Sequence, residues 1–503
     1  MAIASPSAPS FSTFSFSCTS RAGSNQIRLF PKRFGLKPSH RVMTRLDVIN
    51  AASDGELKYD LHHGQRNRRR KGALPVYVTL PADAVGPTAQ TVRRRKALAQ
   101  SFRALAAAGV EGVVMEVWWG LVEREFPRIY LWEGYLEIVL MARRFGLKVR
   151  AVMAFHQFGS GPDDPFWIPL PSWVLKEIEK DPNVTYSYRF GERNMEYLSL
   201  GYDILPILHG RSPIQAYTDF MRNFRDTFRS FLGSIITGIQ VGLGPGGELR
   251  YPSFLGEFHF YDKYMLAYLN ACAQDIGVRE WSNHGPIGDI NFTQNPEKSE
   301  FSETEGPWKS PYGEFFPKWY SEMLLLHGER ICRAAETIFR GNEVNISGKV
   351  AAVSELLTYG SIRDGLLPIA RMFGKYDFTI SCSCFDLQYA EDFLKQLMFV
   401  ANICDVPLEG ENSSINLNDE SFKQVIKMSK LCSDGGVIRS FSYNFVRMDR
   451  NLFEYRNWVR FTGFVRQMSV VNIFRSKLGF GGGCESTLSS TAAAAFGGAV
   501  LAY

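Results

Sequence analysis

Short runs of β-branched and apolar residues recur along the middle of the chain. Each gives way to a longer segment in which apolar residues return every three or four positions. The runs are "LPVYVTLP", "GVVMEVWWG", "LKVRAVMAFHQ", "IITGIQVGLGP", "NISGKVAAV", "DFTISCSCF", "DVPLEGEN" and "SFSYNFVRM". Between them lie helical patterns such as "RRRKALAQSFRALAAAG" and "PIQAYTDFMRNFRDTFRSFLG". Strands alternating with helices predict right-handed β–α–β units around a parallel sheet. Eight such strands predict an α/β fold of one domain, a (β/α)8 TIM barrel over residues 74–475. A doubly wound open sheet is the alternative, although no G-x-G-x-x-G follows the first strand.

A barrel carries its chemistry at the C-terminal ends of its strands. Read in order, those ends present Glu116, His156, Glu248, Lys349, Ser383, Asp386, Glu411, Asn412 and Arg447. Polar and ionisable groups so concentrated are hard to explain as packing. Glu248 and Glu411, after strands four and seven, would face each other across the barrel mouth. Two carboxylates flanking a glycosidic bond are the equipment of a glycoside hydrolase, one held protonated and the other ionised. The "VWWG" aromatics at 117–120 and Tyr251 offer flat faces for a sugar. Glu248 also sits in "VGLGPGGELRYPS", directly after a glycine-rich turn. Phosphate cradles use backbone N–H donors and a lysine there, so this turn has another purpose.

Charge and composition narrow the picture. The formal net charge is +6, but residues 1–71 hold 13 Lys and Arg against 4 Asp and Glu, so the remainder is slightly acidic. The folded part therefore expects no nucleic acid and no membrane as partner, and "RNRRRK" reads as a solvated arm. Residues 1–46 contain no acid, seven basic residues and many serines, which predicts a plastid transit peptide and a place in the chloroplast stroma. Residues 47–73 read as a disordered basic linker, and the Gly/Ala/Ser-rich 476–503 as a low-complexity tail. The eight cysteines show no C-x-x-C and no metal-ligand spacing, and read as reduced thiols.

The stretches "GVEGVVMEVWWGLVE", "AFHQFGSGPDDPFWIPLPSWV", "LPILHGRSPIQAYTDFMRNFRDTF", "VGLGPGGELRYPS", "GEFHFYDKYM" and "LEGENSS" closely resemble plant β-amylases, from about Leu74 to Met468. The resemblance implies a (β/α)8 barrel that releases β-maltose from the non-reducing ends of α-1,4-glucans with inversion, using no cofactor and no catalytic metal. It implies Glu248 as general acid and Glu411 as general base, at the separation of about 6.5–9.5 Å that inversion requires. It further implies sugar contacts at His156, Lys349, Asn412 and Arg447, and a flap aspartate at Asp164. The expected ligand is an α-1,4-glucan or maltose, with another starch-metabolising enzyme as a possible protein partner.

Departures from the family pattern cluster at the mouth. Glu116 stands where the family has an aspartate, one methylene shorter. The flap reads "GSGPDD" with a proline inside it, and proline restricts the φ changes that closure needs. The excursion after "RYPS" is shortened, and the family's H-W-x-Y after strand five has no counterpart. Ser383 replaces a threonine, and Ser413 and Ser414 follow "GEN". Productive positioning supplies ~7–11 kcal/mol of barrier reduction, so an intact acid/base pair loses much with its surroundings. The expectation is a plastid paralogue of weak or lost hydrolytic activity. The alternative is a non-catalytic glucan-sensing or regulatory protein of starch breakdown, a branch the family also contains.

Overall fold

The computed structural model describes residues 74–470 apart from 189, 253–258, 282–310, 352–365, 414–417 and 434–439. The predicted transit peptide, linker and tail lie outside the described residues. So do the shortened stretch from Ser253, the segment that follows strand five, and Ser414. All described residues belong to the compact unit Asn67–Tyr503.

In chain order the strands are β1 (Val76–Thr79), β2 (Gly112–Trp118), β3 (Lys148–Ala154), β4 (Thr185–Ser187), β5 (Arg193–Leu198), β6 (Ile236–Val241), β7 (Glu248–Leu249), β8 (Asn345–Val350), β9 (Phe378–Ser383), β10 (Leu408–Glu411) and β11 (Phe441–Phe445). All eight predicted runs form barrel strands. Parallel pairing runs β6–β3–β2–β1–β11–β10–β9–β8, and β6 pairs back onto β8, so the sheet closes. Helices follow the strands in the predicted alternation. The fold is a (β/α)8 barrel.

Strand alternation divides the side chains. Val113, Met115 and Val117 of β2 and Val149, Ala151 and Met153 of β3 are buried in the apolar layer. Their alternates Val114, Glu116, Trp118, Val152 and Ala154 line the barrel interior. The helix Pro213–Thr227 shows how the outer layer is made. Ser212 caps it with a reciprocal bond to Gln215, and proline opens its first turn. Ala216, Tyr217, Phe220 and Phe224 then recur on one buried face. Phe155 stacks on Tyr217 at 4.2 Å, and Trp119 meets the same tyrosine edge-on at 5.4 Å.

Two additions to the barrel shape its mouth. The antiparallel hairpin β4–β5 joins the end of β3 where the Gln157 amide donates to the Glu196 carbonyl at 2.9 Å. After β6 ends, β7 takes over its place beside β8, pairing Glu248 with Lys349.

Cys332, Cys382, Cys384 and Cys432 are buried and free, whereas Cys272 and Cys404 are half-buried. No helix among the described residues is long and apolar enough to cross a membrane.

Gly410 separates Glu409 from Glu411, and a Cβ there would stand 2.9 Å from the ring of buried Phe385. Gly410→Ala should therefore cost about 1–3 kcal/mol of unfolding free energy in urea. A variant as stable as the parent would show that the ring yields freely.

Candidate active site

The glycine-rich turn has a geometric reason at two positions. A Cβ on Gly244 would lie 2.5 Å from the carbonyl oxygen of Glu248. Gly247 has φ of 78°, a region that costs other residues about 1–2 kcal/mol. A Cβ on Gly247 would also press against His156 at 3.4 Å. The Gly247 amide donates to the Gly244 carbonyl at 2.9 Å, and the tight turn hands Glu248 to β7 beside Lys349.

Lys349 bridges the two glutamates. Its Nζ lies 3.0 Å from Glu411 Oε2 and 3.7 Å from Glu248 Oε1. Those two oxygens are thus at most about 6.7 Å apart, which puts their separation at or below the lower end of the range of about 6.5–9.5 Å for an inverting glycosidase. Ser383 Oγ donates to Glu248 Oε1 at 3.2 Å, and Arg250 Nε pairs with Glu248 Oε2 at 2.9 Å. Asn444 Nδ2 donates to Glu411 Oε1 at 3.1 Å. Burial pushes the Glu411 carboxyl up, but the Lys349 ammonium together with hydrogen bonds from Lys349, Asn444 and Ser381 holds the group below the usual range. Burial likewise disfavours the charged ammonium, and Glu411 and Glu248 together more than reverse that.

Glu116 and Arg447 form a second node. Arg447 Nη1 reaches Glu116 Oε2 at 2.7 Å and Nη2 reaches Oε1 at 3.0 Å, a two-pronged pair. The guanidinium also donates to the Leu80 carbonyl at 3.2 Å and lies over the Phe158 ring. Both residues line a cavity of about 680 Å³ at the barrel mouth, together with Trp118, His156, Lys349 and Glu411. Trp118 Nε1, His156 Nδ1 and Gln240 Nε2 of residues on its wall are buried without a hydrogen-bond partner among the described residues.

The structure brings Glu116, His156, Lys349, Glu411 and Arg447 to this one cavity. Glu248 and Ser383 lie behind Lys349, bonded to each other and not on the cavity wall. Three other predicted residues are placed elsewhere. The exposed Asp164 turns back on its own loop, accepting from the Ser160 and Phe166 amides at 3.1 and 2.9 Å. Asn412 ties β10 to the end of β11: Oδ1 accepts from Val446 N at 2.8 Å and Tyr443 Oη at 3.2 Å, and Nδ2 donates to the Val446 carbonyl. Ser413 is exposed, its amide donating to Asp386 at 2.8 Å. The suggestion that Tyr251 offers a face to sugar is corrected: it is buried, stacked on Tyr320 at 3.7 Å, with its hydroxyl on the Tyr320 carbonyl. Trp119 is core as well, and Trp118 alone of the pair reaches the cavity wall.

Sequence reasoning missed Gln240 and the hairpin residues Arg193, Asn194, Met195 and Glu196 on the cavity wall. Gln240 carried a signal, a polar residue at an inward position of an apolar strand. The hairpin carried none, because nothing local ties it to the mouth. Among the described residues no group of three or more His, Cys, Asp or Glu side chains is arranged to hold a metal ion.

A closed barrel whose mouth holds two glutamates on one lysine is the architecture of a glycoside hydrolase. The family profile of glycosyl hydrolase family 14 matches residues 77–472. The chain is 42% identical over 436 residues to beta-amylase 1, chloroplastic, of Arabidopsis thaliana, covering 79% of this chain and 76% of that one. It is 34% identical over 433 residues to the beta-amylase of Vigna unguiculata, covering 78% and 87%. The catalytic domain of beta-amylase from Paenibacillus polymyxa superposes with a TM-score of 0.63 at 20% identity, over 78% of this chain and 98% of that one, a likeness of fold. This chain belongs to glycosyl hydrolase family 14.

Burial, and then the charges of Lys349 and Arg250, push His156 down to about 3 from its ordinary 6.5. The folded protein keeps this ring neutral where the unfolded chain takes up a proton, so stability falls as pH drops from 6.5 towards 3 and is unaffected above. In His156→Gln that contribution is gone, and the loss of Tm between pH 7 and pH 5 should be smaller than in the parent. Equal losses in the two proteins would show that the ring is not held neutral.

Proposed function

We propose that this chain acts on α-1,4-glucans as an attenuated exo-hydrolase of plastid starch breakdown, releasing β-maltose from non-reducing ends with inversion. The observation that carries this reading is the pair Glu248 and Glu411 held on one ammonium at the barrel mouth. Glu248 protonates the departing glycosidic oxygen. Glu411 takes a proton from the water that attacks the opposite face of the sugar, so the new anomeric hydroxyl has inverted configuration. Lys349 keeps Glu411 ionised for that task. Trp118, His156 and Gln240 line the cavity that would receive the chain end.

Attenuation follows from two ion pairs. Glu248 is engaged by Arg250 and Ser383 behind the cavity wall, and must leave them to reach a glycosidic oxygen. Glu116 spends both oxygens on Arg447 instead of on a terminal glucose. These same contacts favour a second reading, in which the protein binds a glucan or maltose without turnover and acts through another starch-metabolising enzyme. For the location, support comes from the serine-rich, acid-free N-terminus and from the relatives of Arabidopsis thaliana and Oryza sativa that are named chloroplastic. We place the protein in the plastid stroma.

Maltose release from soluble starch tests the reaction. Glu248→Gln and Glu411→Gln should each lower the rate by about 10²–10⁴-fold, the range for a lost general acid or base. A variant that keeps the parent's rate removes its glutamate from the reaction. A well-folded parent that binds maltose and releases none selects the second reading.

A further inference from the structure

A line of polar side chains runs through the barrel interior from beneath the site to Glu411. At its far end the Arg150 guanidinium lies over the Tyr77 ring, 3.8 Å from its centre. Arg150 Nη1 pairs with Glu409 Oε1 at 3.0 Å and donates to Asn444 Oδ1 at 3.0 Å, while Nη2 donates to Ser442 Oγ at 2.8 Å. Asn444 in turn donates from Nδ2 to Glu411 Oε1 at 3.1 Å. Arg150, Glu409 and Asn444 are 8%, 5% and 2% exposed. Strand β6 leaves room for this line at Gly238, where a Cβ would stand 3.1 Å from Arg150 Cγ.

Chemistry orients the amide. Arginine donates and never accepts, so Asn444 must turn its carbonyl oxygen to Arg150. Its NH2 group is then the end that faces Glu411, and a proton on Glu411 Oε1 would leave two donors opposed. We propose that Asn444, oriented by Arg150, is a positioning residue that holds Glu411 in its ionised form with its Oε1 anchored and its Oε2 at Lys349. The proposal rests on the reading of Glu411 as the general base, since such a base needs both a defined orientation and a free lone pair at working pH.

Other charges also bear on Glu411. Lys349 on β8 contacts it directly, and Glu248 lies on the far side of that ammonium. Glu409 is on the same strand, compensated by Arg150. Tyr443 and Arg447 act from β11 and from just beyond it. Lys349 and Asn444 reach the carboxylate with hydrogen bonds, one to each oxygen. Donors to a buried carboxylate favour its charged form, and the depressed Glu411 pKa agrees, with Ser381 on β9 contributing beside Lys349 and Asn444. An amide that only filled space in the barrel would leave the titration of Glu411 unchanged when replaced.

The test is the titration of the Glu411 carboxyl in the full chain, followed by NMR of protein labelled with [δ-13C]glutamate and assigned through Glu411→Gln. Asn444→Leu keeps the shape and removes the donor, so the Glu411 midpoint should rise by about 1 pH unit. Asn444→Asp keeps the acceptor for Arg150 and turns a carboxylate oxygen on Glu411, so its midpoint should rise further. It also carries the test if Asn444→Leu does not fold. A Glu411 midpoint within about 0.2 units of the parent in a folded variant overturns the proposal. Where the parent hydrolyses starch, the acid limb of kcat/KM should move up with the midpoint. Where it does not, the catalytic reading fails while the titration still decides the role of Asn444.

Discussion

Two glutamates buried at the mouth of one barrel repel each other and lose their hydration, and the Lys349 ammonium between them makes the arrangement tenable. Its Nζ stands 3.0 Å from one carboxylate and 3.7 Å from the other. The dependence is mutual. Burial alone would disfavour the ammonium, and the carboxylates reverse that, while the ammonium together with hydrogen-bond donors around Glu411 favours that carboxylate's charged form. Much of the surrounding structure brings these three groups within reach. The glycine turn and the two-residue β7 deliver Glu248 beside Lys349, Ser383 at the end of β9 donates to the Glu248 oxygen that faces the ammonium while Arg250 holds the other, and Asn444 on β11 holds Glu411 from the next strand.

Glu116 sits at an inward position of β2, and its length takes both oxygens onto Arg447 in a paired fork. A sugar hydroxyl arriving there meets a carboxylate already engaged and a guanidinium packed on Phe158. Trp118, His156 and Gln240 line the same cavity. Below them, Arg150, Glu409, Ser442 and Asn444 fill space that an apolar layer would occupy in a simpler barrel. Buried charges of that kind are retained only when each finds its partners.

Much of this was legible in the chain because strand pattern is local. Eight apolar runs of period two, each followed by a helical period, were enough for a barrel, and strand ends were enough to single out Glu116, His156, Lys349, Glu411 and Arg447. Residues in loops were read less well. Asp164 follows its flap, and the backbone amides of Ser160 and Phe166 claim its carboxylate. Asn412 lies one residue past β10, where its amide bonds to the β11 end more readily than to anything in the cavity. Tyr251 stands just beyond the glycine-rich turn in sequence yet is buried against Tyr320.

The sequence by itself determined the barrel, the glycine turn and the identity of the paired glutamates, because periodicity, backbone freedom and carboxyl chemistry are carried by neighbouring residues. Only the tertiary structure decided which ions meet. Closure of the sheet brings β8 and β10 close enough for Lys349 to reach Glu411, and sets Arg447 against Glu116 across 331 positions. It also runs Arg150 up to Asn444 across 294. Ion pairs and hydrogen bonds are made at about 3 Å, and no spacing along a chain specifies such a distance between strands hundreds of residues apart.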